Sequence, residues 1–485
     1  MGTPRSVILI TVDCLRADHV GFNGYPRPTT PFLDSLAAEG LVFSNAIVAG
    51  TPTYYSFPAI MASRHALALG RDVVGLAPEE RTIASQLKVT GYATGAFLAG
   101  NPYLSPQFGY QFGFDTFRDF LDGEIIPLSG DMGPDGGRRL RNGLNVCLER
   151  VSHHFGPLGG LYDELYFRYG QRKAPPVQSM DALRRFPAAD AMVDEAFSWL
   201  ASVGERPFFL WLHLMDPHSP YYPPEEALAL MSGGHVSPER ARYLNSYWNR
   251  GDLGVKRFAK HRQLIIALYD AGIRWVDKQV GRLVEMLRRS GRWQSCIFAL
   301  TADHGEEFLE HGDRYHAPSK LTEELIRVPL LLCMPGVGKS GNVCEPFSLL
   351  HLAPTLLDAA GVQVPQDFRG RSHWERLQNE QAGEEAAIVE CVAGCTNPFR
   401  ASDRLGARIL AVREARYKMV LDFRSNKEQL FDLESDPAEN QPLPEGLEEP
   451  VRRRLLEAAL RHSQQACDPA LQLKARLNDL RVEGN

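Results

Sequence analysis

Among the 485 residues there is no run of about 18–20 consecutive apolar side chains, the length a helix needs to cross a bilayer. Charge is not gathered into blocks of one sign: 53 Lys and Arg stand against 59 Asp and Glu, a net −6, and no polybasic stripe marks a nucleic-acid footprint. Only 8 cysteines are present, scattered along the chain. Cys391 and Cys395 lie close together but lack the second pair of a zinc knuckle, so free thiols in a reducing compartment are expected. Repeats and low-complexity tracts are also missing. A hydrophobic share of 44% with 23% charged residues is that of an ordinary globular chain with a large core. Small molecules rather than nucleic acid or membrane are therefore the expected partners, and no membrane span is expected.

The opening MGTPRSVILITVD shows no charged segment followed by a long apolar stretch, so no export signal is expected and cytoplasmic placement follows as the reading. Its apolar run, Val7 to Val12, has the length and β-branched character of a central strand in a parallel sheet, and it ends on Asp13. Thr30, Pro31 and FLDSLAAEG then predict an N-cap, a proline at the first helical position, a helix and a glycine stop.

Further strands are predicted at Phe208 to Leu212, Ile297 to Thr301 and Pro329 to Cys333, separated by helical stretches, which gives an α/β class with a mostly parallel sheet. Ile273, Val276, Val280, Leu283 and Leu287 fall on one helix face and read as core. Residues 122 to about 186 begin rich in Gly, Pro and charge and predict an insertion that covers an active site. The chain is expected to divide into a catalytic domain over 1–384 and a small C-terminal α+β subdomain over 385–485.

Candidate chemistry falls at predicted carboxyl ends of strands, the edge where open α/β sheets bind ligands. Asp13 follows the first strand, Asp303-His304-Gly305 follows IFALT, and a hydroxyl-rich turn spans Thr51 to Ser56. Two carboxylates and an imidazole suit Mn²⁺ or Zn²⁺ better than Ca²⁺ or Mg²⁺, although the sequence leaves all four open. Read alone, Asp13 is equally a helix cap or a loop-stabilising carboxylate. His213, Asp216 and His218 in HLMDPHSPYY, and His311 and His316 in HGDRYH, add further ionisable side chains at the same edge.

In this order the motifs ILITVDCLRADHVGFNGYPRPTTPFLDSLAAEG, RPFFLWLHLMDPHSPYYPP, FALTADHGEEFLEHGDRYHAPSKLTEELIRVPLLL, HLAPTLLDAAG and QLFDLESDPAEN resemble the sulfatase-like hydrolases of the alkaline phosphatase and sulfatase superfamily. The resemblance covers most of the chain and implies an alkaline phosphatase-like three-layer sandwich around a mostly parallel sheet. It implies one divalent metal on Asp13, Asp303 and His304, with Thr53 both as nucleophile and as a further metal contact. Ser56 is the fallback nucleophile or a helix cap. His218 and His316 are expected to bind the transferred group or protonate the leaving oxygen, with His213 as a support or substrate contact. Tyr54 and Tyr55 are expected at the substrate pocket, with at least one of them in aromatic packing instead, and a second metal on Asp216, His218 and His316 is the alternative to a single ion.

The sequence departs from the sulfatase pattern at the nucleophile. Sulfatases resembling this chain carry Cys or Ser followed by x-Pro-Ser-Arg, and that first residue becomes formylglycine; here the segment reads Thr53-Tyr54-Tyr55-Ser56-Phe57. Cys14 stands where many sulfatases have a second Asp. A threonine ester has no second hydroxyl with which to expel sulfate, so it must be cleaved by water at the central atom, as in phosphoryl-transferring members. The expected activity is hydrolysis of phosphate or phosphonate esters. The alternatives are a sulfatase without formylglycine, a phosphoryl or phosphoalcohol transferase, and a non-catalytic binding module; a homo-oligomer is left open.

Overall fold

The computed structural model describes residues 4–121, 157–231, 236–379 and 386–465. Strand β1 (Ser6–Val12) has all of its side chains buried, as its unbroken apolar run demands. In chain order there follow β2 (Leu41–Ile47), β3 (Ala93–Leu98), β4 (Thr116–Arg118), β5 (Phe208–Leu214) and β6 (Cys296–Ala302). The short pair β7 (Glu307–Phe308) and β8 (Arg314–Tyr315) precedes β9 (Arg327–Cys333), β10 (Gly341–Val343) and β11 (Phe347–Ser348).

These build a nine-stranded sheet in the order β10-β2-β9-β6-β1-β5-β3-β4, with β11 also on β2. All pairings are parallel except those of β9, which runs antiparallel to both β6 and β2. Strand β1 sits at the centre, with Val12 level with Leu214 of β5 and Ala302 of β6. Asp13, Asp303 and the loop after β5 therefore leave the sheet side by side.

Helices Ala189–Val203 and Arg262–Arg289 pack together, while Thr53–Ala62, Ile83–Val89 and Leu352–Ala359 form a separate group. Complete burial of β1, β5 and β6 fits one group on each face. The apolar stripe Ile273, Val276, Val280, Leu283 and Leu287 is buried along the longer helix, as expected of core.

The strands expected at 7–12, 208–212, 297–301 and 329–333 all form, but β2 and β3 were not foreseen. Strand β3, ATGAFL, is poor in β-branched residues, and a Cβ on Gly95 would lie 2.6 Å from the Trp199 ring. Its composition reflects helix packing rather than strand propensity.

Near the C-terminus, β12 (Ala387–Val392), β13 (Arg408–Arg413), β14 (Tyr417–Asp422) and β15 (Lys427–Asp432) form an antiparallel sheet. Leu410, Val412, Met419 and Leu430 bury one face of it against Val451, Leu455 and Ala459 of helix Glu449–Gln465. Most of the expected insertion, residues 122–156, lies outside the described residues. Its end does border the site, because the Phe186 ring meets His218 edge-on at 5.4 Å between centroids.

Candidate active site

Three strand ends deliver one buried cluster. Asp13 leaves β1 with its backbone N–H donating to the Leu214 carbonyl at 2.9 Å, which fixes where its carboxylate points. Asp303 and His304 follow β6, and both are fully buried. Gly305 is required beside them: a Cβ there would lie 1.9 Å from the Glu324 carbonyl oxygen. Thr53 is the first residue of helix Thr53–Ala62, beyond the end of β2, and its Oγ1 is 3.2 Å from His304 Nε2.

The tautomer of His304 follows from its contacts. Nδ1 lies 2.8 Å from the Gly305 carbonyl, which can only accept, so Nδ1 carries the proton and Nε2 presents a lone pair. That lone pair faces Asp13 Oδ1 at 3.8 Å and Asp303 Oδ2 at 3.5 Å. Ligands bound at about 2.0–2.2 Å with tetrahedral or octahedral angles stand about 3–3.6 Å apart, close to these separations. Asp303 Oδ2 is buried without a hydrogen-bond partner. An orphaned carboxylate oxygen facing an imidazole lone pair and a second carboxylate fits a divalent cation.

The two carboxylates titrate in opposite directions. Burial pushes Asp303 up and the Asp13 charge adds to it. Burial also acts on Asp13, but His218, the hydrogen bond from His213 and His304 together hold it well below the ordinary carboxylate range. Asp13 is thus the constitutive anion of the pair. Its Oδ2 accepts from Asn101 Nδ2 at 2.9 Å, while Asn101 Oδ1 takes the Tyr103 N–H at 3.0 Å and so fixes the amide's orientation.

His218 and His316 flank this cluster, with ring centroids 5.3 Å apart. His218 donates from Nδ1 to the Ser219 carbonyl, and burial lowers its pKa. His316 donates from Nδ1 to Glu306 Oε1 at 3.0 Å, and its ring centroid lies 4.4 Å from that of His304. Burial works against a charge on His316, but Glu306 overcomes it and raises the pKa. Tyr221 donates to the other Glu306 oxygen at 3.0 Å, so Glu306 is satisfied on both sides. Two imidazoles of contrasting character therefore stand at one edge, one neutral and one held towards its cation.

Cys14 adopts φ +59°, a conformation that costs roughly 1–2 kcal/mol for a residue bearing a Cβ. This turns Sγ to within 3.1 Å of Asp13 Oδ1 and 3.4 Å of His316 Nδ1. A soft donor thus lies beside the carboxylate position.

Several expectations are corrected. His213 is a support rather than a substrate contact: it is fully buried, 3.0 Å from Thr11 Oγ1 and 3.3 Å from Asp13 Oδ2. Tyr54 turns into the packing, its hydroxyl donating to the Cys395 carbonyl and its ring lying against Tyr55 and Tyr103. Ser56 does not cap the helix; Pro52 occupies that position, and Ser56 Oγ is buried without a partner. Asp216 accepts the Ala189 N–H at 3.3 Å and joins no metal-type cluster with His218 and His316. The group Glu307, His311 and Glu324 is an ion-pair cluster: His311 donates from Nδ1 to Glu324 and from Nε2 to the Ala438 carbonyl, which leaves no lone pair for a metal.

Asn101 and Glu306 went unnoticed in the sequence. Glu306 sits one residue beyond DHG and could have been found as a carboxylate adjoining the motif; Asn101 could not, because β3 was not recognised.

The sulfatase family profile matches residues 5–362, and a profile described as N-sulphoglucosamine sulphohydrolase, C-terminal, matches residues 313–465. The chain belongs to the sulfatase family. An arylsulfatase of Clostridium perfringens is 25% identical over 480 residues, covering 90% of this chain and 89% of that protein. The structure of BT4656 in complex with its substrate D-glucosamine-2-N,6-O-disulfate has a TM-score of 0.66 at 19% identity, covering 96% of this chain and 99% of the other. The phosphonate monoester hydrolase of Agrobacterium radiobacter has a TM-score of 0.65 at 17% identity over 95% of both chains. This sulfatase-family chain is a sulfatase-like ester hydrolase with an alkaline phosphatase-like fold. Among the described residues no helix is long and apolar enough to cross a membrane.

Proposed function

We propose that the chain hydrolyses phosphate or phosphonate esters through a covalent ester on Thr53. The carrying observation is that a threonine hydroxyl, with no convertible cysteine or serine in its place, lies 3.2 Å from the lone pair of His304. Relatives of this fold named for sulfated sugars and for phosphonate monoesters mark the two chemistries between which the nucleophile discriminates.

A divalent cation held by Asp13, Asp303 and His304 would supply positive charge that favours the Thr53 alkoxide and neutralises the transferred oxygens. Thr53 opens its helix, so the positive end of the helix dipole favours an anionic ester there. Thr53 Oγ1, having released its proton to solvent, forms a bond to phosphorus as the alkoxide while the bond to the leaving oxygen breaks, and that oxygen takes a proton from His316. Water then attacks phosphorus, gives one proton back to His316 and releases Thr53 as the alkoxide that began the cycle. Glu306 favours the charged form of His316, while neutral His218 spends its one proton on the Ser219 carbonyl and presents Nε2 as an acceptor for a water or hydroxyl at the site.

The test is turnover of matched nitrophenyl phosphate, phosphate diester, phosphonate and sulfate esters by metal-stripped protein, with Mn²⁺, Zn²⁺, Mg²⁺ and Ca²⁺ restored singly. Metal-restored turnover of phosphorus esters is expected to exceed that of the sulfate ester by at least about tenfold, about 1.4 kcal/mol in the barrier. A dominant sulfate rate would reverse the reading, and silence on every ester with no metal bound would favour a binding module.

His316→Ala is expected to slow esters with poor leaving groups by about 10²–10³ and activated aryl esters by far less, since only the former need a proton. His218→Ala should slow both alike. Equal losses for His316→Ala across a leaving-group series would remove it from the acid role.

A further inference from the structure

Cys14 has no part in the steps assigned to the ester chemistry, yet it stands among the groups that carry them. It directly follows Asp13, its side chain is fully buried, and its left-handed backbone sets Sγ 3.1 Å from Asp13 Oδ1. Sγ belongs to two compact groups of metal-ligating atoms, one with Asp13 and His218 and one with His304 and His316, and in each the atoms lie within 4.8 Å of one another. Asp13 and His304 also belong to the group with Asp303. The thiol therefore borders the same space as the cation site on Asp13, Asp303 and His304. Among the described residues no other cysteine joins such a group.

A packing role does not account for this placement. A thiol is a weak hydrogen-bond donor, so the bond from Sγ to Asp13 does little to offset the cost of the left-handed conformation. Serine would donate more strongly, and glycine, asparagine or aspartate would adopt that φ more readily. What cysteine alone offers is a soft donor. A thiolate at about 2.3 Å and a carboxylate oxygen at about 2.0–2.2 Å from one Zn²⁺ stand about 3–3.7 Å apart, and the Sγ to Oδ1 separation falls in that range. Asp303 points to a cation independently of the thiol: its Oδ2 is fully buried, has no hydrogen-bond partner and lies 3.5 Å from His304 Nε2. Burial, then the Glu306, Asp13 and Asp303 charges, keep the thiol protonated in the metal-free protein. A divalent ion reverses that field, and the proton leaves to solvent as the sulfur–metal bond forms.

We propose that Cys14, as a thiolate, is a fourth protein ligand of the divalent ion and sets the site's preference for Zn²⁺ over the harder Mn²⁺, Mg²⁺ and Ca²⁺. The proposal rests on the reading that Asp13, Asp303 and His304 hold that ion. Thr53 Oγ1 remains available as a fifth contact, an expansion that catalytic zinc sites allow.

The test loads the metal-stripped full chain with one equivalent of Co²⁺ under a phosphine reductant and reads its absorption spectrum. A thiolate-to-cobalt charge-transfer band in the near ultraviolet is expected beside the visible ligand-field bands. In Cys14→Ser the charge-transfer band should vanish while the ligand-field bands stay, because Asp13, Asp303 and His304 still hold the ion. Competition titrations should show the ratio of Zn²⁺ to Mn²⁺ affinity falling by at least about tenfold in the same variant. Cys14→Asp, which keeps an anionic donor but makes it hard, should bind Mn²⁺ more tightly than the parent, a gain that misfolding cannot mimic. Ligand-field bands without a charge-transfer band in the parent, a charge-transfer band that survives Cys14→Ser, an unchanged affinity ratio, or no gain in Cys14→Asp would overturn the proposal and leave the three-residue ion site standing. Failure of the parent to bind cobalt at all would overturn both.

Discussion

Thr53→Ala is expected to lower kcat by about 10³–10⁴ on every ester the protein turns over while leaving the fold and metal content in place. The fold should survive because Thr53 occupies the first helical turn without acting as the cap, and alanine is a good helix former there. Metal should still bind, because two carboxylates and an imidazole remain. Thr53→Ser retains a hydroxyl and is expected to recover part of the rate. The measurement is steady-state kinetics on the matched nitrophenyl esters, with metal analysis and thermal denaturation alongside. Undiminished turnover in Thr53→Ala would remove the covalent intermediate and leave direct attack by water.

Ser56 provides the internal control. Its hydroxyl is buried and without a partner, yet it makes no contact with His304. Ser56→Ala should therefore change the rate little if Thr53 is the nucleophile.

How far the site could be read in advance depended on whether a residue's role was written in its own neighbourhood. Asp13 and Asp303 were legible because each ends an unbroken apolar strand, and a strand fully buried on both faces has only one way to finish, at the edge of the sheet. His304 shared that position through Gly305, whose missing side chain admits the Glu324 carbonyl. Asn101 was hidden because β3 is an alanine- and glycine-rich strand shaped by Trp199 rather than by β propensity.

The aromatic pair after Thr53 was legible only in part: packing was expected of at least one tyrosine, but not of which. Tyr54 and Tyr55 adjoin the nucleophile in sequence, but helix geometry rotates successive side chains by about 100°, so neighbours of a catalytic residue face elsewhere. Tyr54 accordingly meets Cys395 from the C-terminal segment, and both tyrosines are pushed well above the ordinary phenol range, burial being the first cause. A contact across 341 positions is outside what local periodicity carries.

Asp303→Asn is expected to remove metal and activity together, and its effect on stability should reverse sign with metal. Without a cation, burial and then the Asp13 charge raise the Asp303 pKa, so the folded state binds a proton that the unfolded chain releases. That contribution is fully present below the ordinary carboxylate pKa and is lost as pH rises through the raised folded value. Above that raised value the metal-free protein carries a buried charge beside Asp13, which asparagine removes; Asp13, whose pKa is lowered, acts in the opposite sense. Metal-free Asp303→Asn should melt above the metal-free parent at pH values above the raised Asp303 pKa and lose that advantage as the pH falls from there to about 4. Added Mn²⁺ or Zn²⁺ should raise the melting temperature of the parent only, because binding to the folded state alone stabilises it by mass action. A variant that still gains stability from metal would show that Asp13 and His304 suffice to hold the ion, and would move the orphaned oxygen of Asp303 from ligand to neighbour.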